Sequence, residues 1–221
     1  MPALVTIALT VVFASLAMLG RTLAHYLRTG RLSVRFAPTP DAPRRVQVGA
    51  WSAVVGGGFL AGIAAPAAEL LGPRVPAALA PADLAALRAA GLVLAVAALA
   101  ATLAAQTAMG ASWRIDVDPD DRTALVTGGP FALVRNPVYT AGLCWTAGIA
   151  LSCPGALSAL GALTVLAGVQ VQVRRVEEPY LARAHGAAYT AYAARVGRFL
   201  PGVGRLRSGA ADGPPPAVRG R

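Results

Sequence analysis

The stretch Tyr139-TAGLCWTAGIALSCPGALSALGALTVLAGVQVQ-Val173 decides the fold. It is apolar throughout, with Cys153-Pro154-Gly155 near its middle. One helix of this length would run about 52 Å, against a hydrocarbon core of about 30 Å; two helices would each be slightly short. Pro154 and Gly155 favour a turn. The candidates are therefore a tight hairpin of two short helices and one long kinked helix, and the charges flanking the stretch separate them.

Working outward, three further apolar runs precede it: Ala3–Gly20, Val46–Leu71 and Ala89–Met109. Hydrophobic residues make up 56% of the 221-residue chain and charged residues 14%, where a soluble domain carries about 25% charged residues. Mean hydropathy is +0.57. No basic residue precedes the first run, so it reads as a retained helix rather than a secretory signal.

The net charge is +10 and all 20 basic residues are Arg. Six lie in Arg21–Arg45, three in Gly110–Asn136 and nine from Arg174 onward, with two between Gly72 and Arg88. Cytoplasmic segments of membrane proteins collect basic residues. A hairpin puts 18 arginines on one side and two on the other, whereas a single kinked helix strands the nine of the tail. The expected fold is an all-α polytopic membrane protein with five transmembrane helices, the last two a short hairpin. The N-terminus lies outside and the C-terminus in the cytoplasm. The all-Arg, Ala- and Gly-rich composition points to a GC-rich bacterial source, hence to a bacterial inner or cell membrane.

Several function classes drop out. The arginines sit between long apolar runs without an aromatic-rich basic face, which argues against nucleic-acid binding. No ionisable residue lies at the middle of a span, which argues against an ion pathway; Glu69 and Arg88, near span ends, read as snorkelling side chains. Cys144 and Cys153 read as small buried residues, and His25 and His185 as isolated loop or surface residues. None of these has ligand spacing, so no metal site is expected.

Two segments on the cytoplasmic side carry more information. Trp113, Ile115 and Val117 alternate with Arg114, Asp116 and Asp118; a Pro119-Asp120-Asp121 turn follows, and Thr123–Thr127 can return. This predicts a small cytoplasmic β-hairpin. Lacking a mid-loop Gly and a closing Glu, it is no calcium loop. Next comes Phe131-Ala-Leu-Val-Arg135-Asn136-Pro137-Val-Tyr139. Pro137 suits the first helical turn and Asn136 the N-cap, so a helix start whose N–H groups can hold an anion faces the cytoplasm. After the hairpin, Glu177 and Glu178 stand at the end of the fifth helix, where negative charge is unfavourable unless arginines or a cationic ligand neutralise it. A C-terminal interfacial helix follows, with Tyr189 and Tyr192 three apart as interface anchors. Beyond Pro201 the Gly-, Pro- and Arg-rich tail is expected to be disordered.

Taken together, Gly129-Pro130-Phe131, Arg135-Asn136-Pro137-x-Tyr139, a two-helix apolar stretch, then Glu177-Glu178-x-x-Leu181, Gly186, Tyr189 and Tyr192 resemble the isoprenylcysteine carboxyl methyltransferase family, itself related to membrane phospholipid N-methyltransferases. The resemblance covers residues 105–201, including Gly110-x-Ser112-Trp113-Arg114. It divides the chain into helices 1–3 over most of 1–104, a catalytic region at 105–201 and a tail at 202–221. It implies an S-adenosylmethionine-dependent enzyme whose lipophilic or lipid-anchored substrate arrives through the membrane. Phe131, Asn136, Pro137, Tyr139, Glu177 and Glu178 would bind the cofactor, while Arg135, Arg174 and Glu178 would be catalytic. Asn136 stands where the family has histidine and cannot act as a general base. Steroid-reductase-like enzymes share a similar Arg-x-Pro-x-Tyr entry, so an NADPH-dependent reductase is the alternative, with a non-catalytic family member as a third reading.

Overall fold

The computed structural model describes residues 2–30, 36, 38–40, 42–72, 81–110 and 124–206. Its main elements are α1 Pro2–Thr29, α2 Arg44–Leu71, α3 Pro81–Met109, the single-turn α4 Pro130–Leu133, α5 Pro137–Ser152 and α6 Ala156–Arg195. Short π-type turns interrupt α1 at Ala14–Gly20, α2 at Leu60–Ala64 and α6 at Gln172–Glu177.

The hairpin is present. α5 ends at Ser152, the chain turns through Cys153-Pro154-Gly155, and α6 starts at Ala156. The count of five membrane-spanning helices is not supported. Four helices are long and apolar enough to cross a membrane: Pro2–Thr29, Arg44–Leu71, Ala82–Met109 and Ala156–Arg195. α5 has 16 residues, about 24 Å of helix, and falls short of that length. The chain reads as an integral membrane protein on those four helices.

Three other expectations change. The C-terminal helix is not set off by a loop: the chain stays helical from the hairpin to the kink at Gly186, whose φ of 52° and ψ of −128° leave the helical region, and a second helical piece runs from there to Arg195. Glu177 and Glu178 therefore lie inside a helix rather than at its C-terminus, and the dipole penalty expected there does not arise. The first strand and turn of the β-hairpin fall outside the described residues, while Ala124–Thr127 of its return strand are irregular. Among the described residues the only β pairings are isolated bridges, Val134 with Gly197 and Leu200 with Val203.

A hydrophobic driving force between helices is weak in lipid, so close backbone approach and hydrogen bonds carry the packing. α3 and α5 meet at Gly91 and Gly148, where a Cβ on either would come within 2.6 Å of the other's carbonyl oxygen. α2 and α6 meet the same way at Gly57 and Gly161. Ala61, Ala95, Ala98, Trp145 and Ile149 fill the space between, with Phe13 stacked on Trp145 at 4.3 Å. Polar ties cross the bundle: Thr6 to Ser152 (2.8 Å), Thr10 to the Gly62 carbonyl (3.1 Å) and Gln106 to the Ala17 carbonyl (2.9 Å).

These contacts sort the helix ends. Thr6, Glu69, Arg88 and the Cys153 turn share one end. There Arg88 donates to Glu69 at 2.8 Å and the Cys153 thiol donates to the same carboxylate at 2.9 Å, so the two charges pair instead of snorkelling apart. Arg21, Met109, Asn136 and Glu177 belong to the other end. His25, expected in a loop or at the surface, is a buried residue of α1.

Candidate functional site

The site grows from residue-level rules at the start of α5. Gly129 has a φ of 58°, a left-handed conformation open chiefly to glycine, and Pro130 follows as the first residue of α4. Extended Val134, a bend at Arg135 and Asn136 at φ −126° and ψ 59° then precede Pro137; a residue before proline is held out of the helical region, so α5 begins at Pro137. This stretch pairs in parallel with the segment after α6, Arg135 N–H donating to the Gly197 carbonyl (2.8 Å) and Asn136 N–H to the Arg198 carbonyl (3.2 Å). Asn136 occupies the N-cap position without capping through its side chain, which donates to the Arg198 carbonyl at 3.2 Å.

Arg135 is buried with its five N–H donors committed. Nε and Nη2 donate to Glu178 Oε1 at 3.2 and 2.7 Å, Nη1 to the carbonyls of Ala193 (3.1 Å) and Val196 (2.6 Å), and Nη2 to that of Gly204 (3.1 Å). Glu178 also takes a bidentate grip from Arg198, with Nε at 3.0 Å from each oxygen and Nη2 at 2.7 Å from Oε2. Hydrogen bonds to Glu178 raise the Arg198 pKa above its ordinary value, outweighing burial. Two guanidiniums on one carboxylate leave a positive excess beside the N-terminus of α5, a setting that favours an anionic group.

Glu177 faces another way. Its carboxylate accepts the Tyr139 hydroxyl and the Gln172 amide (3.3 Å). Gln172 and Glu177 are five residues apart and meet because the π turn Gln172–Glu177 widens the helix there. The Trp51 ring of α2 lies 6.5 Å from that of Tyr139. The two adjacent glutamates thus serve different neighbourhoods. Arg174 and Arg175 are exposed on the same turn.

Beyond the Gly186 kink, Tyr189 and Tyr192 turn inward. Both are buried, edge to face at 6.4 Å, and the Tyr192 hydroxyl donates to the Phe131 carbonyl at 2.6 Å. They are not interface anchors. With Phe131, Asn136, Arg135, Met109, Leu125 and Leu181 they line a pocket of about 90 Å³. The start of the expected disordered tail folds back as well: Leu206 N–H donates to the Ala193 carbonyl (2.9 Å) and Val203 pairs with Leu200. The rest of the tail, 207–221, lies outside the described residues.

The structure thus gathers Phe131, Arg135, Asn136, Pro137, Tyr139, Glu177 and Glu178 at one end of the bundle, with Arg174 at its exposed edge. Sequence reasoning missed Arg198 and Gln172, and gave Tyr189 an interface role instead of a place in the pocket. The buried carboxylate was the available signal for Arg198, since a buried charge needs a partner. Among the described residues no cluster of metal-ligating side chains occurs.

Residues 85–188, just under half of the chain, match the sequence model of the phospholipid methyltransferase family. The match spans α5, the hairpin and both glutamates. It supports the broader class of membrane methyltransferases and favours methyl transfer over the reductase reading. Comparisons with curated proteins and with solved structures find no match.

Proposed function

We propose that this chain is an integral membrane methyltransferase that uses S-adenosylmethionine to methylate a lipophilic acceptor, of the isoprenylcysteine carboxyl methyltransferase kind or a near relative. One observation carries the reading: within the matched residues, the N-terminus of α5 (Arg135–Tyr139) meets Glu177 and Glu178 at one end of the bundle. The donor set suits part of such a cofactor. The pocket beside Asn136 has aromatic walls and a tyrosine hydroxyl, but at about 90 Å³ it takes one end of the molecule, not the roughly 300 Å³ or more that a complete small-molecule site encloses.

When bound, S-adenosylmethionine supplies an electrophilic methyl group on a sulfonium. The chain's own residues then position and exclude. Arg135 and Glu178 lock the start of α5 to α6, holding the pocket wall and the Tyr139–Glu177 pair in fixed relation, which is what in-line transfer requires. Phe131 and Pro137 provide apolar surface, and Asn136 offers an amide. Glu177, aligned by Tyr139 and Gln172, faces the cationic part of the cofactor or an acceptor proton. Arg174, exposed on the π turn at the edge of the site, orients an anionic part of the acceptor. The acceptor reaches the site from the bilayer, and the charge asymmetry of the chain supports a cytoplasmic site end with the N-terminus outside.

The test is transfer of a labelled methyl group from S-adenosylmethionine into the lipid extract of membranes containing the protein. Label is expected with wild type and at background with Glu178→Gln. No label above membranes lacking the protein, or NADPH-dependent loss of a substrate double bond instead, would overturn the reading.

A further inference from the structure

Tyr189 and Tyr192 stand three residues apart on the same turn of α6, edge to face, and both are buried, at 1% and 4% exposure. Only one of their hydroxyls is accounted for. Tyr192 donates to the Phe131 carbonyl at 2.6 Å, whereas the Tyr189 hydroxyl lies beside the Arg135 guanidinium without a hydrogen bond of good geometry to any described residue, and its own proton has no acceptor there. The obvious neighbours are committed: Arg135 spends its five donors on Glu178 and three carbonyls, and both oxygens of Glu178 are taken by Arg135 and Arg198. A buried hydroxyl left without a partner is destabilising, and phenylalanine would fill the same space without that cost.

The hydroxyl is not simply sealed in packing, because Tyr189 lines the pocket that Phe131, Asn136, Met109, Leu125 and Leu181 also line. About 90 Å³ with apolar walls has room for a few waters or one flat ring system. Asn136 adds the pocket's amide. Apolar faces with hydrogen-bonding groups at the rim match a heteroaromatic base, which has apolar faces and an edge of donors and acceptors.

We propose that Tyr189 is a ligand-binding residue whose hydroxyl hydrogen-bonds the edge of the nucleobase of the nucleoside cofactor in this pocket, while Tyr192 lends the pocket only its ring, which phenylalanine keeps, its hydroxyl being spent on the Phe131 carbonyl. The proposal rests on the methyltransferase reading and deepens it by assigning the base end of the cofactor to the Phe131–Tyr189 pocket, leaving the Tyr139–Glu177 pair for the end that bears the methyl group.

The two tyrosines supply the experiment. The full chain, purified in detergent as wild type, Tyr189→Phe and Tyr192→Phe, is titrated calorimetrically with S-adenosylmethionine and separately with adenosine, and each variant is melted without ligand. Tyr189→Phe is expected to weaken both ligands about five- to tenfold with a ligand-free melting temperature equal to or above wild type. Tyr192→Phe is expected to bind within about twofold of wild type and to melt lower, because the Phe131 carbonyl loses its donor. Binding by Tyr189→Phe within about twofold of wild type overturns the proposal, as does a fall in its melting temperature matching that of Tyr192→Phe. Weakened S-adenosylmethionine binding with unchanged adenosine binding overturns the base assignment. A folded wild type that binds neither ligand instead removes the methyltransferase reading on which the proposal stands.

Discussion

The two ends of the bundle each hold a carboxylate facing arginine, and they differ in almost every physical respect. At one end Glu178 is 8% exposed, gripped by Arg135 and Arg198, and Arg135 ties in three carbonyls of the segment that follows the Gly186 kink. At the other end Glu69 and Arg88 pair at 2.8 Å with side chains 33% and 20% exposed, and among the described residues the Cys153 thiol is the only other side chain hydrogen-bonded to the carboxylate. Burial separates a pair that organises backbone from one that closes a helix end. Breaking a buried, hydrogen-bonded ion pair strands a charge in low dielectric and costs about 3–5 kcal/mol, whereas an exposed pair contributes about 0–1 kcal/mol.

The sharpest way to break the comparison is Arg135→Ala. It removes a donor from three carbonyls, of which Ala193 keeps the Leu206 N–H, and strands the Glu178 charge; we expect a loss of about 3–5 kcal/mol, read as a large drop in melting temperature in detergent or as failure to fold. A variant that melts like wild type would show that the C-terminal segment is held by something else. Glu178→Gln keeps the shape and removes the charge, leaving the buried Arg135 and the half-buried Arg198 guanidiniums without a counter-charge; a loss of about 2–3 kcal/mol is expected, together with loss of methyl transfer. Arg198→Gln removes the more exposed partner, and a loss of about 1–2 kcal/mol is expected, since Arg135 still neutralises the carboxylate. A melting shift for Arg198→Gln as large as that of Arg135→Ala would contradict the ranking of the two arginines. Smallest is Glu69→Gln at the opposite end, expected within about 1 kcal/mol of wild type and with methyl transfer unchanged. A loss of transfer in that variant would couple the two ends and undo the division between them.

How much of this was legible in the sequence follows the same division. The hairpin was legible because Cys153-Pro154-Gly155 is a local turn signal and the arginine asymmetry agreed with it. The span count was not, because the 16-residue α5 is apolar yet too short, and apolarity alone does not register helix length once a turn is placed. The convergence of Arg135–Tyr139 with Glu177 and Glu178 was legible from the hairpin, which returns the chain to its starting end. Its internal wiring was not: adjacent glutamates look equivalent in sequence, and the π turn at Gln172–Glu177 that gives Glu177 to Tyr139 and Gln172 has no composition signal. Tyr189 and Tyr192 misled for a related reason. Their three-residue spacing correctly put them on one face, but the kink at Gly186 turns that face inward.

The most direct test of the account is equilibrium binding of S-adenosylmethionine to the purified wild-type chain, set beside Glu177→Gln and Glu69→Gln. The account predicts saturable binding at one site, weakened about tenfold by Glu177→Gln and unchanged by Glu69→Gln at the other end. A folded wild-type protein that binds no S-adenosylmethionine, or one whose binding is equally sensitive to both substitutions, would contradict it.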